Sequence, residues 1–490
     1  MKKIDLGVVV TTLIIVTISC SLAFFAARVV GEPKDINLVA KNVAITFNDT
    51  SIIANGVVSP GWNTTKTFTI TNNSKEEYKY NISIKDLINT FVTEGYLQYK
   101  ITSTNNGYNM TEFKDIPKSS IATDTILAYS VSIPVGVTQS YTIEFKYAND
   151  ESVDQSDDMG KKLSGTLFIT EGTEPTLLTQ LLADKSTVLT RTDFSTVLTN
   201  DNTNTLYTST EDSKTVYYFA GNATDNWVKF GKNESNQDLY WRIIRTNSDG
   251  SVRLLYHGTS TTATDAYIRT TVFNSSADNI AYVSYMFGST GSISNARENT
   301  NNSTIKTTID NWYTSNLEAK DYTKYLSTTA VYCNDRSTSN NSEFGAYTRV
   351  GANKTPTYDC ATTEDKFTVD TSTGNGKLTY PIALMTADEV SFAGGLWWTN
   401  APTWYYYNSA NGSSTGSTWW WLLSPDGWIG SYAGVFNVFG SSNPGYLSNN
   451  SVSYTGGVRP ALSLKSCVKY SRGDGSASDP YTIKETETGC

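Results

Sequence analysis

Apolar and polar residues follow two different rhythms along this chain. From Ile36 to about Thr170 they alternate one by one. Val43-Ala44-Ile45-Thr46-Phe47, Lys66-Thr67-Phe68-Thr69-Ile70-Thr71, Tyr141-Thr142-Ile143-Glu144-Phe145 and Gly165-Thr166-Leu167-Phe168-Ile169 all keep a period of two, with Ser59-Pro60-Gly61 and Asn72-Asn73 as turn punctuation. Short strands with few helical stretches between them predict a β-sandwich over residues 36–175. The rhythm then changes. Leu177, Leu178, Leu181 and Leu182 suggest a short helix, and the Thr- and Asp-rich stretch from Asp184 to Asp212 reads as a linker, so residues 176–216 are expected to be helix and linker.

Residues 217–490 mix both periods and predict an α+β head. Leu239–Arg245 and Ser251–Tyr256 form a hairpin across Asp249-Gly250. A helix is expected from Ser303 to Leu317, with Ile305, Ile309, Trp312 and Leu317 on one face. A second begins at Thr386, whose capping box is completed by Glu389, and stops at Gly394-Gly395. The fold class expected is therefore mainly β with an α+β head.

The first residues set the compartment. Lys2 and Lys3 precede an apolar run from Leu6 to Ala27, about the length that spans a hydrocarbon core as a helix. Residues 1–35 thus read as a signal anchor with a transmembrane helix, against the competing reading of a cleaved secretory signal. The anchor makes the chain a single-pass protein of the cell membrane with its bulk extracytoplasmic. Aromatics at 12% against only 17% charged residues suit β-structure at such a surface. A net charge of -9 with no Lys/Arg cluster argues against nucleic acid as a partner.

Four cysteines lie beyond the apolar run, an even number in a disulfide-permissive compartment. Sequence neighbours are the economical pairing, Cys333 with Cys360 and Cys467 with Cys490. Zinc is disfavoured, since no pair has C-x-x-C spacing and His257 is the one histidine. No catalytic arrangement emerges. His257 has no nucleophile motif beside it, Asp388-Glu389 fits the first turn of a helix, and Asp157-Asp158 reads as a solvated turn. Neither a cofactor nor a metal is expected, and the chain does not read as an enzyme.

In order, the Trp-Arg-Ile-Ile-Arg hairpin, the helix with an internal Trp-Tyr, Leu-Met-Thr-Ala-Asp-Glu-Val, Trp-Leu-Leu-Ser-Pro and Gly-Val-Arg-Pro-Ala-Leu resemble the C-type-lectin-like fold shared with formylglycine-generating enzymes. The likeness is nearest to bacterial surface proteins diversified by diversity-generating retroelements, and it spans roughly residues 215–485. The N-terminal part resembles, more loosely, the sandwiches of envelope and biofilm-matrix proteins. The head resemblance implies that residues 426–456 form an exposed surface binding an external protein or glycan. Its aromatics are Trp428, Tyr432, Phe436, Phe439, Tyr446 and Tyr454, and its adaptable polar residues include Asn437, Ser441, Asn443 and Asn449. Of the rings, Tyr432, Phe436, Phe439 and Tyr446 are the expected anchors, whereas Trp420 and Trp421 are expected in the core. The function so implied is ligand-binding display at the cell surface. A structural envelope or matrix protein without a dedicated ligand is the alternative.

Overall fold

The computed structural model describes residues 58–172, 174–185, 187–263, 266–338, 342–401, 419–440 and 443–490 in full, and the backbone alone of strands at 28–29, 36–40 and 43–49. The protein is mainly β. The chain divides into two compact units, Met1–Pro175 and Thr176–Cys490. The expected membrane-spanning segment at residues 6–27 lies outside the described residues. Among those described, no helix is long and apolar enough to cross a membrane.

In the first unit, one sheet runs in the order Arg28–Val29, Leu163–Glu171, Tyr78–Asn89, Ser119–Ile133. The other runs Ile36–Ala40, Val43–Asp49, Asn63–Asn72, Thr138–Tyr147, Leu97–Ser103, Lys114–Asp115. The alternation read from the sequence is the reason they share a core. Along Thr138–Tyr147 every second residue is buried, and Tyr141, Ile143 and Phe145 meet Phe68, Tyr80, Ile82, Ile101 and Ile169 in one cluster. Asp158 departs from expectation. Rather than sitting in a solvated turn it is fully buried, accepting hydrogen bonds from the backbone N–H groups of Val92 and Thr93 and from the Tyr147 hydroxyl at 2.7 Å.

The second unit starts on the helix Leu177–Asp184, where Thr176 and Thr179 form a reciprocal capping box. Part of the stretch expected to be linker is sheet, at Thr187–Thr190 and Thr205–Glu211, while residues 191–204 between them carry no strand. Thr187–Thr190 pairs in parallel with Thr205–Glu211, which joins a ten-stranded sheet and buries Leu206 and Tyr207. Threonine-rich segments have high β propensity when they carry even a few apolar residues, and the sheet claims them.

Eleven elements frame the candidate surface. They are β1 (Asp238–Thr246), β2 (Val252–Gly258), β3 (Arg269–Val272), α1 (Thr304–Asn316), β4 (Ile382–Leu384), α2 (Ala387–Phe392), β5 (Trp420–Ile429), β6 (Tyr432–Val438), β7 (Leu447–Ser451), β8 (Thr455–Val458) and β9 (Pro460–Leu464). Within the large sheet β1, β2, β9 and β4 pair antiparallel in that order. Helix α1 buries Ile305, Ile309 and Tyr313, while Trp312 stays half-buried against Tyr256.

Helix α2 is buried along its whole length. The Glu389 carboxylate accepts the Thr386 N–H at 2.9 Å as its half of the capping box, and also takes Arg245 Nε at 2.9 Å and Arg253 Nη1 at 2.7 Å. Arg245 continues to Glu211 at 2.8 Å, and Arg349 joins Asp388 at 2.9 Å to Asp335 at 2.6 Å. One helix start thereby holds two neighbouring strands and two loops. Burial alone would raise the Glu389 carboxyl, but the Arg253 and Arg245 charges outweigh it and hold it below the ordinary range.

Cys333–Cys360 and Cys467–Cys490 stand at disulfide distance, with Cα atoms 5.6 and 5.2 Å apart. Peptide mapping without reductant should recover these two pairs, and crossed pairs or free thiols would contradict the arrangement. Glu389→Gln leaves two arginines buried without their shared counter-charge. Removing one partner of a buried ion pair typically costs about 3–5 kcal/mol. Urea unfolding should show that loss in the second unit's transition and leave the first unit's transition in place.

Candidate functional site

The segment expected to face a ligand lies in a five-stranded sheet ordered β3-β8-β5-β6-β7. Strands β5 and β6 meet through the two-residue turn Gly430-Ser431, with Ile429 opposite Tyr432 and Gly430 at φ 62°. Past the turn both faces of β6 are covered, and every residue from Ala433 to Val438 is buried.

This coverage divides the expected contacts. At the turn end of β6, Tyr432 is 37% exposed, Tyr454 59% and Ile429 73%, with Trp428 half-buried beside them. At the far end Phe439 and Tyr446 are half-buried and meet edge to face at 6.1 Å, while Asn443 is exposed in the connecting turn. Ser441 lies outside the described residues. Between the two ends, Phe436 and Asn437 are fully buried, which corrects their assignment to the exposed surface. Phe436 packs against Trp397 at 5.2 Å, inside a strand whose two faces are both core. The expected single patch is thus two patches, one at each end of β6. Trp420 and Trp421 are fully buried, as expected.

Sequence reasoning missed Ile429 and Trp398. Trp398 is 62% exposed at φ 55°, an uncommon conformation for a non-glycine residue, and it stacks on Trp397 at 5.8 Å and Tyr446 at 6.4 Å. The adjacent pair Trp397-Trp398 was the available signal, since two neighbouring tryptophans are seldom both buried.

Asp426 was also missed, although it begins the segment. The β5–β6 register places Pro425 opposite Val435 and Gly427 opposite Gly434, so Asp426 is the extra residue of a β-bulge. Its carboxyl turns inward and is 6% exposed, accepting a hydrogen bond from the Asn449 amide. The Tyr432 ring lies close by, because a Cβ at Gly434 would sit 2.9 Å from Tyr432 Cε1 and 3.5 Å from Asp426 Oδ2. The backbone of Ser342–Phe344 closes the other side, with Trp428 N–H donating to Ser342 O at 2.7 Å and Phe344 N–H to Asp426 O at 3.0 Å. Burial, with the Glu343 charge adding to it and the Asn449 hydrogen bond opposing it, pushes the Asp426 carboxyl up to about 7. Burial, then the charges of Asp426 and Tyr454, push Tyr432 up to about 12.

A polar cavity elsewhere in the head is lined by Arg245, Arg253, Arg349, Asp335, Asp388 and Glu389, beside Cys333. These charges form the ion pairs of the α2 frame. His257, next to the last residue of β2, is buried against Trp227 at 4.4 Å.

No family model matches the chain, and no curated protein does. Among solved structures, AvmM, which catalyses macrocyclisation in alchivemycin A biosynthesis, matches over 29% of this chain and 100% of its own, at 9% identity and a TM-score of 0.16. A family 123 glycoside hydrolase from Clostridium perfringens, studied for glycolipid glycan hydrolysis, matches over 28% of this chain and 25% of its own, at 11% identity and a TM-score of 0.12. Likeness of that size bears on neither fold nor activity here.

Phe436→Ala should cost about 3–5 kcal/mol in urea unfolding, as for buried phenylalanines generally, whereas Tyr454→Ala should stay within about 0.5 kcal/mol. The pH profile should have two limbs. Asp426 is raised on folding from an unfolded value near 3.9, so its contribution is fully present below about pH 4 and is lost as pH rises through about 7. Glu389 is depressed, so its contribution is present above about pH 4.3 and is lost as pH falls below that. Asp426→Asn should flatten the upper limb in thermal unfolding and leave the lower one.

Proposed function

We propose that this chain is a cell-surface display protein, anchored in the membrane through residues 6–27, that binds an external protein or glycan with its C-terminal head. In this reading the first unit is a stalk and the head is a C-type-lectin-like domain. The single observation that carries it is the grouping of Ile429, Tyr432 and Tyr454, with Trp428, at the open end of a sheet whose remaining core positions are closed. Isolated exposed apolar residues need no explanation, but several large ones meeting around one turn mark a recognition surface. Tyrosine and tryptophan supply contact area with little rotamer freedom to lose, and Asn449, Asn450 and Ser453 beside them can adapt hydrogen bonds. The frame around Glu389 supports the same reading, because a rigid scaffold holds a binding surface ready before the ligand arrives. A retroelement-diversified surface would vary at these exposed positions and keep Phe436, Asn437 and Trp420 constant.

Arrays of extracellular proteins and glycans, probed with the full-length chain, test this. The wild type should retain at least one ligand, and Ile429→Ala/Tyr454→Ala should weaken it at least about tenfold, as expected when central contacts of an interface are truncated, with the unfolding midpoint unchanged. Ligands held equally by both proteins would contradict the assignment. Sequencing the flanking DNA should reveal a reverse transcriptase and a near-copy of the region encoding residues 420–460 if the surface is diversified.

A further inference from the structure

We propose that the corner beneath Tyr432 is a subsite for a basic group of the external ligand, an ammonium or guanidinium, with Asp426 as its counter-charge. The proposal rests on the display reading and narrows the class of ligand. Asp426 is more than nine-tenths buried, and although its Oδ2 takes the Asn449 amide, its Oδ1 has no hydrogen-bond partner among the described residues. Among the described residues, no lysine, arginine or histidine pairs with it. Elsewhere in this head buried carboxylates are neutralised from within, as Glu389 is by two arginines and Asp365 by Arg336 at 2.6 Å. Asp426 breaks that habit, and it does so directly under the exposed aromatic patch.

The groups facing it come from three directions. Glu343 approaches from the Ser342–Phe344 segment, Tyr347 from the stretch after it, and Tyr432 from β6 with Tyr454 behind it. Two carboxyls, with the phenols of Tyr347 and Tyr432 beside Asp426, form a surrounding that favours a cation over a neutral hydroxyl, since carboxylates attract positive charge and aromatic rings tolerate it. Tyr432 is the movable cover. It stands next to the hairpin turn, is partly exposed, and among the described residues its hydroxyl has only a 3.5 Å contact, to Asn449 Oδ1. A cation that displaces the ring reaches the Asp426 carboxyl, whose Oδ2 lies beside the ring, and the carboxyl gives up its proton to solvent as the ion pair forms. The proton on Asp426 therefore competes with the ligand, and burial, which keeps this carboxyl protonated up to about pH 7, makes binding strengthen as pH rises through that value.

Ligand-observed NMR on the full-length protein tests the subsite, with an acetylated and amidated Gly-Arg-Gly peptide as probe and the same peptide carrying citrulline as the neutral control. If only the ionised carboxyl binds, affinity for the arginine peptide should be about tenfold higher at pH 8 than at pH 6, the ratio of ionised fractions about a midpoint of 7. Asp426→Asn, whose fold is checked by its unfolding midpoint at pH 6, should bind both peptides alike and without pH dependence. Equal binding of arginine and citrulline peptides by the wild type, or unchanged arginine binding by Asp426→Asn, would overturn the proposal. The display reading fails separately. If array ligands are lost in Ile429→Ala/Tyr454→Ala and indifferent to Asp426→Asn, the surface stands and the cation subsite falls. If the arginine peptide binds with the expected pH dependence while array ligands ignore the Ile429 and Tyr454 changes, the subsite stands and the display reading falls.

Discussion

The head depends on one carboxylate. Glu389 closes the capping box of α2 with one oxygen and accepts two arginines with the other, so that a six-residue helix, two antiparallel strands and the strand bearing Glu211 share a single buried charge centre. Such an arrangement is costly to break and tolerates little displacement, because Arg253 loses its counter-charge and Arg245 one of its two if the helix start moves. Apolar packing alone would hold α2 against the sheet without fixing its rotation. The charge pairs fix it. The Leu423 N–H donates to Met385 O at 2.8 Å immediately before that helix, so β5 inherits its position from the same frame, and β5 carries the exposed hairpin.

Much of this is legible in the sequence where local chemistry decides the outcome. The capping box at Thr386 and Glu389, the hairpin at Asp249-Gly250, and the period-two strands of the first unit are all present within a residue or two of their expected places, because caps, tight turns and alternation are short-range patterns. The cysteine neighbours also meet as expected. Long-range burial is not legible. Glu389 is readable as a helix-start acid and not as the partner of Arg245 and Arg253, which lie 144 and 136 residues away. Asp158 escapes for the same reason, and the threonine-rich stretch near Thr205 reads as linker because its few apolar residues become informative only once the neighbouring strands are in place.

The surface is half legible. Tyr432 and Tyr454 are exposed as an aromatic among Asn and Ser suggests, whereas Phe436 and Asn437 share that composition and are core. Alternation cannot separate them, since β6 is covered on both faces and the inside-outside code of a half-buried strand does not apply to it. Asp426 is hidden by the bulge. An extra residue in one strand reverses the facing of the residues beyond it; Pro425 and Gly427 inside a strand are the local signal of such a bulge, but they do not say which way Asp426 turns.

A buried charged frame thus leaves a small set of positions at one hairpin exposed, and those are the positions the display proposal uses. Saturation mutagenesis of residues 420–460, with protease resistance of the full-length chain as the readout of folding, measures that partition directly. Tolerance should be high at Ile429, Tyr454 and Asn443, and low at Trp420, Trp421, Phe436 and Asn437. Uniform intolerance across the hairpin, or tolerance at Phe436 equal to that at Tyr454, would contradict it.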